Sequence, residues 1–268
     1  MDGKSVRSTG KMRKYQGNAL HIVSAQLAEL GLTFAQQTVD SKSNEIPAAQ
    51  ALLKELDIRG CLVTADAMNC QTNTAEIILE GKGDYLLCAK DNHEQTRQAV
   101  ERHIKDEKNQ DKITQAESYE TAHGRNERRS AYVLPFAVLN QEKLCGENWP
   151  KLACIGAIRR EFESNGKKTD EWHYYISSRE LTAQALLHAA RMEWTVETMH
   201  WLLDVRFEED KCRAEDKNVQ RNLNMLRKLS LNLIRLFKER TQSKKAFSHI
   251  MLDCLLEPYR LIEVISEN

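Results

Sequence analysis

The sequence predicts an α/β fold in which a mixed sheet is flanked by helices. Three observations point there. Apolar runs of strand length alternate with helical patterns between residues 46 and 90. Two ribbon-like stretches follow, within about 92–178. Two long helical segments, Leu181 to about Phe207 and 217–239, come after them.

The elements follow from local pattern. "ALHIVSAQL" (19–27) and "LTFAQQTV" (32–39) are β-branched runs separated by "AELG" and predict an antiparallel hairpin. In "IPAAQALLKEL" (46–56), Pro47 suits a first helical turn and apolar residues recur at 49, 52, 53 and 56. "GCLVTADA" (60–67) reads as a buried strand delivering Asp66 at its carboxyl end. "TNTAEIILEGKG" reads as a helix closed by glycine, and "DYLLCAK" (84–90) as a second buried strand. This spacing predicts parallel members in the sheet. "NHEQTRQAVERHIKDEK" (92–108) is a polar helix with a thin apolar stripe. "KITQAESYETAHGRNERRSAYVLPF" and "LACIGAIRREFE…EWHYYISS" predict β ribbons, and Pro258 breaks a terminal packing helix.

Bulk composition is that of a globular protein. The 268 residues are 41% hydrophobic and 29% charged, with 39 basic and 39 acidic side chains, so net charge announces no partner. No run approaches the roughly 18 apolar residues of a membrane span, and no apolar leader opens the chain; a cytoplasmic location is the default expectation. Seven cysteines without a Cys-x-x-Cys pair argue against a disulfide framework or a structural zinc site.

The chemistry-bearing residues are acids. Asp66 ends a buried strand at the edge where open α/β sheets bind ligands, although a lone acid there also serves as an ordinary helix cap. Glu197 lies in "ARMEWTVETMHWLLDV", one turn after Glu193 and among Trp194, Met199, Trp201 and Leu202. An acid so placed needs a partner: a buried salt bridge, as with Arg191, or a metal ion. Carboxylates from separate elements suit a pair of Mg²⁺ ions, which activate a hydroxyl and stabilise a leaving oxygen. None of the eight histidines shows H-E-x-x-H spacing, and there is no G-x-S-x-G elbow or glycine-rich phosphate loop.

Several stretches together carry a family resemblance: "DGKSVRS" (2–8), "KSNEIPAAQALLKELDIRGCLVTADAMNCQ" (42–71), "GDYLLCAKDN" (83–92), "HGRNERR" (123–129), "YYISS" (174–178) and "RMEWTVETMHWLLDVRFEEDKCR" (191–213). In this order they resemble the H-repeat-associated insertion-sequence transposases of bacteria, DDE enzymes on a ribonuclease H-like fold. The resemblance runs from Asp2 to about residue 237. It implies a ribonuclease H-like mixed sheet with a β-rich insertion before the last catalytic helix. The implied divisions are 1–91, the first part of the catalytic domain; 92–180, the inserted helix and ribbons; and 181–268, the C-terminal helices with a DNA-contact region.

The resemblance further implies that Asp2, Asp66 and Glu197 bind two Mg²⁺ ions, with Mn²⁺ as substitute. It implies cutting at transposon ends and joining to target DNA, with a dimer on double-stranded DNA and no membrane partner. The helix departs from the family pattern: Glu193 stands where histidine is usual and Thr198 where asparagine is usual. Only Met1 precedes Asp2, where family members carry a helical region and an apolar strand. The expectation is therefore an N-terminally truncated catalytic domain, inactive alone. Three rival readings stand beside the transposase: a DNA-binding remnant that occupies element ends or inhibits full-length transposase, a nuclease of the same fold, and a fragment that folds poorly and has no function.

Basic residues mark candidate phosphate contacts. Lys4 and Arg7 follow Asp2 in a basic N-terminal stretch, and Lys42 and Glu45 flank "SN", near the site or as a structural pair. Arg125 and Arg128 lie in "HGRNERR", where Glu127 offers a surface partner. Arg191 and Arg213 bracket the long helix motif. Residues 217–245 hold nine basic side chains, Arg221, Arg227 and Lys228 among them, and one acid, Glu239. The plainer reading of that segment is a leucine-packed helix with a solvated basic face.

Overall fold

Period-two alternation explains the largest sheet. The structure, a computed structural model, describes residues 1–6, 19–39, 45–122, 125–139, 148–164, 167–214 and 216–266. The chain divides into two compact units: Met1 with Ala49–Glu193, and Asp2–Ala48 with Trp194–Asn268. Two helices contain the divisions, α1 (Glu45–Glu55) and α4 (Ala183–Val205).

The first unit holds six strands: β4 (Leu62–Ala65), β5 (Asp84–Ala89), β6 (Thr114–Ala122), β7 (Arg125–Pro135), β8 (Cys154–Ser164) and β9 (Lys167–Ser177). Their order is β4-β5-β9-β8-β7-β6. Both faces are covered, which is why β5 reads as an unbroken apolar run. Tyr85 and Leu87 enter one core with Ile155, Tyr174 and Ile176, and with Ala75 and Ile78 of α2 (Thr72–Glu80) and Val100 and Ile104 of α3 (Glu94–Lys105). Leu86 and Cys88 enter the other with Val133, Ile158, Tyr175 and Leu186 and Leu187 of α4.

The sequence predicts these elements closely and their pairing less so. Only β4 and β5 are parallel; every other pair in the sheet is antiparallel. The ribbons continue the sheet, because β9 pairs with β5 on one side and β8 on the other.

The second unit holds an antiparallel sheet, β1 (Asp2–Val6), β2 (Leu20–Leu27) and β3 (Leu32–Val39), in that order. It also holds the C-terminal half of α4, then α5 (Lys217–Thr241), α6 (Phe247–Leu256) and α7 (Pro258–Ile265). The β2–β3 hairpin is as predicted, and Pro258 opens α7 as the residue that separates it from α6. The strand β1 is new. The pattern "DGKSV" has one strong apolar residue, Val6, and takes its strand form from pairing with β2. Val196, Met199, Leu202 and Leu203 of α4 pack with Leu231 of α5. No helix among the described residues is long and apolar enough to cross a membrane.

Gly156 in β8 shows how closely α4 approaches the first sheet. A Cβ at that position would lie 2.6 Å from Leu186 Cδ2 and 3.1 Å from the Tyr132 carbonyl oxygen. Gly156→Ala is expected to cost about 1–3 kcal/mol through overpacking and to lower the melting temperature by several degrees in a thermal scan; an unchanged melt would mean that α4 yields freely.

Candidate metal centre and charged surfaces

Asp2 opens β1 directly opposite Ser24 of β2. Side chains alternate along a strand, so Asp2 and Lys4 share one face of this sheet and Gly3 and Ser5 the other. Asp2 Oδ1 accepts a hydrogen bond from the Gly3 amide at 2.8 Å, and Oδ2 lies 3.3 Å from His200 Nδ1 on α4. Burial pushes the Asp2 carboxyl upward, but His200 and the Gly3 amide outweigh it and hold the group below its ordinary range.

The other face carries a buried pair. His21 Nε2 is 2.6 Å from Glu45 Oε2, and Nδ1 is 2.9 Å from Ser5 Oγ. His21 and Glu45 are each 2% exposed. Gly3 makes this packing possible: a Cβ there would sit 2.5 Å from the Glu45 carboxyl carbon and 2.6 Å from His21 Nε2. A carboxylate oxygen of Asp2 and one of Glu45 lie within 4.8 Å of each other. Such a pair of oxygen donors fits a small hard cation. Glu45 stood in a quoted motif, but His21 sat in an apolar strand run that named no partner for it.

Asp66 belongs to the first unit. It leaves the carboxyl end of β4 and caps the short 3₁₀ turn Ala67–Asn69. Its Oδ1 accepts from the Asn69 amide at 3.3 Å and from Asn69 Nδ2 at 2.9 Å. The strand-end position read from the sequence is the one found.

Glu197 lies on α4 in the second unit, one turn before His200 and so beside it on the helix surface. The expectation of a desolvated acid needs correction: Glu197 is exposed, as are Trp194 and Trp201. Val196, Met199 and Leu203 form the inward stripe of this segment instead. Among the described residues Glu197 has no hydrogen-bond or ion-pair partner, and Arg191, the suggested one, holds Glu120 at 2.7 Å. In the first unit, burial pushes the Cys88 thiol up to about 12, with the Glu193 charge adding to it.

The basic residues divide by orientation. Lys4 turns inward: its ammonium bonds Asp204, Glu209 Oε2 at 2.9 Å and, at 3.5 Å, the His200 carbonyl. Lys228 is also buried, bonded to Ser24 Oγ at 2.7 Å and Gln36 Oε1 at 2.9 Å. Burial, with the Lys4 charge nearby, lowers its pKa to about 7 against the opposing pull of Glu209. Arg227 lies 3.7 Å from Glu209 Oε1. Arg128 is held by Glu117 at 2.5 Å over the Tyr119 ring. Arg213 and Arg221 are exposed and have no ion-pair partner among the described residues. Arg7 and Lys42 lie outside the described residues, and only the backbone of Arg125 is described, in β7.

Residues 1–233 match the family model described as the transposase DDE domain. "Putative transposase YncI" of Escherichia coli O157:H7 is 34% identical over 88% of this chain and 61% of its own length. "H repeat-associated putative transposase YhhI" of Escherichia coli strain K12 is 34% identical over 87% of the chain and 63% of its own. "Putative protein YbfL" of the same strain is 35% identical with the same coverage. The chain thus spans a little over three fifths of the length of these relatives.

Lys228 gives this unit a pH signature. Its folded pKa of about 7 lies below the ordinary 10.5, so above pH 7 the unfolded chain binds the proton the folded one has lost. That contribution makes stability rise with pH across the interval, by at most about 1.4 kcal/mol per pH unit. Urea melts at about pH 7.5 and about pH 9 should show the parent gaining stability relative to Lys228→Met; parallel profiles would refute the shift.

Proposed function

The chain belongs to the transposase DDE domain family, and from that premise we propose that it performs Mg²⁺-dependent cleavage and strand transfer at the ends of an insertion sequence. The observation that carries this reading is the family match over residues 1–233, which takes in Asp2, Asp66 and Glu197. The paired oxygen donors of Asp2 and Glu45 support it independently.

In this reading Asp2, Asp66 and Glu197 are the oxygen ligands for divalent metal, Mg²⁺ or Mn²⁺. The chemistry such ions supply when bound is activation of an attacking hydroxyl and stabilisation of the leaving oxygen of a phosphodiester. The protein's own contribution is placement. His200 and the Gly3 amide hold Asp2 ionised, ready to accept a cation. His21 orients the Glu45 carboxylate. Asn69 fixes the Asp66 side chain at the strand end.

Double-stranded DNA is the proposed substrate, with a dimer on paired ends, and reaction on a bacterial chromosome is a cytoplasmic one. Arg213 and Arg221 are proposed as open phosphate contacts, together with Arg7, Lys42 and Arg125. Arg128 and Arg191 would exchange a carboxylate for a phosphate on binding, whereas Arg227, turned toward the buried Glu209, stands outside this set. Lys4 and Lys228 are left out of this set because their ammonium groups face inward.

The test uses the purified chain, Mg²⁺ and duplexes carrying the ends of its own element. Nicked ends and joined products are expected. Asp2→Asn, Asp66→Asn and Glu197→Gln should each reduce joining about a hundredfold or more, since loss of even an outer-shell partner costs 10–100-fold. Cut but unjoined products would identify a nuclease. End binding in EDTA without Mg²⁺-dependent cutting would identify a DNA-binding remnant.

A further inference from the structure

We propose that Lys4 is a positioning residue for Asp2: its ammonium, locked onto the buried carboxylate of Glu209, fixes the register of the strand that carries Asp2. The inference rests on the reading of Asp2 as a metal ligand, but its physical content lies in the second unit alone.

An ammonium has three N–H donors. Those of Lys4 have three acceptors inside the protein, on Asp204, Glu209 and the His200 carbonyl, and the side chain is 12% exposed. No donor remains for a phosphate. Glu209 is wholly buried, and both its oxygens are used: Oε2 by Lys4, and Oε1 by Asn224 Nδ2 at 2.7 Å with the Arg227 guanidinium beyond. Burial pushes the Glu209 carboxyl upward, but the Lys4 charge, its hydrogen bond and Asn224 bring the group below its ordinary range. The short turn Glu209–Lys211 begins from Glu208 at φ 49°, a left-handed conformation that a residue with a side chain rarely adopts. Its contacts therefore hold the turn in place.

The strand β1 needs such an anchor. It has five residues, and in its own unit it pairs with β2 alone; Val6 is its one buried side chain. A strand so weakly packed is poorly held against slippage. A one-residue slip would send every side chain of β1 to the opposite face. Asp2 would leave His200, and Gly3 would no longer stand beside Glu45 and His21, where no Cβ fits. Lys4 lies two residues from Asp2 on the same face. Its attachment to Glu209 forbids that slip and sets Asp2 opposite Ser24.

The experiment follows β1 amide exchange and Mn²⁺ affinity in the parent, Lys4→Met, Lys4→Arg, Glu209→Gln and the Lys4→Met/Glu209→Gln pair, with the exposed Lys54→Met as control. In Lys4→Met the amides of Gly3 to Val6 should exchange at least about a hundredfold faster while those of β3 hold their protection. Mn²⁺ affinity should fall about tenfold or more, Lys4→Arg should recover part of it, and the double variant should be no worse than Lys4→Met. The salt dependence of DNA binding should keep its slope. Unchanged β1 exchange in Lys4→Met, additive single effects, or a slope reduced by about one, as for a lost phosphate contact, would overturn the proposal. If Lys4→Met does not fold, Glu209→Gln decides, because it keeps the shape and removes the charge. If the parent binds no Mn²⁺, the metal reading of Asp2 fails, and the exchange pattern still judges the anchor.

Discussion

Glu209 has no contact with water, and a charge in that position persists only with its lone pairs occupied. Around it the second unit arranges one strand, one helix and one short turn. Lys4 comes from β1, Asn224 and Arg227 from α5, and the carboxylate itself from the turn after α4. The apolar contacts of β1 are few, with Val6 clustered with Leu20 and Ile22. The ionic ones supply what is missing, and they are directional where burial is not. Lys228 repeats the device one strand further in, linking α5 to Ser24 of β2 and Gln36 of β3. Among the described residues its ammonium contacts no carboxylate, and burial depresses its pKa.

The fold was legible wherever burial imposes a local period. The 19–39 hairpin, the helix after Pro47 and the strand of Tyr85 to Cys88 each carry their environment in their own pattern. What could not be read was pairing at long range. Nothing within 84–90 says that its second neighbour is 167–177, because that pairing depends on a ribbon folding back across eighty residues. The strand β1 was invisible for a related reason: its strand form is conferred by β2. The helix α4 was found, but not its faces. Its first half packs against the sheet of the first unit and its second half within the other. One helix serving two cores lacks a single apolar stripe, so Glu197 looked enclosed when it is exposed.

The candidate centre was legible in unequal parts. Asp66 could be placed from the strand before it, since the end of a buried run forces the next polar residue outward. Asp2 could be placed only by motif. Its carboxylate gains meaning from His200 and from Glu45, far along the chain. The lysines show the sharpest limit of sequence reading. A count of charge along 217–245 gives sign and density, but orientation depends on which acceptors lie inside. Lys228 had Ser24 and Gln36 waiting, some two hundred residues away.

Orientation also changes what the basic surface of the ribbons would offer to the proposed DNA substrate. Arg128 and Arg129 sit in ladders with Glu117, Glu120 and Glu127, and Arg160 shares Glu127 with Arg129. The exposed Arg128–Glu117 pair contributes little stability, about 0–1 kcal/mol, whereas Arg129, Arg160 and the Glu127 they share are largely buried side chains. These pairs cancel the field that a bare arginine row would project. A phosphate approaching Arg128 would displace Glu117, which accepts from its Nη2, exchanging one anion for another with little net change in charge contact. Among the described residues Arg213 and Arg221 present no such competitor. In the proposed reading, long-range attraction of a polyanion would be strongest at Arg213 and Arg221, while the ribbons would exchange partners only once a backbone is in contact. The first step would then be strongly salt-dependent and the second weakly so.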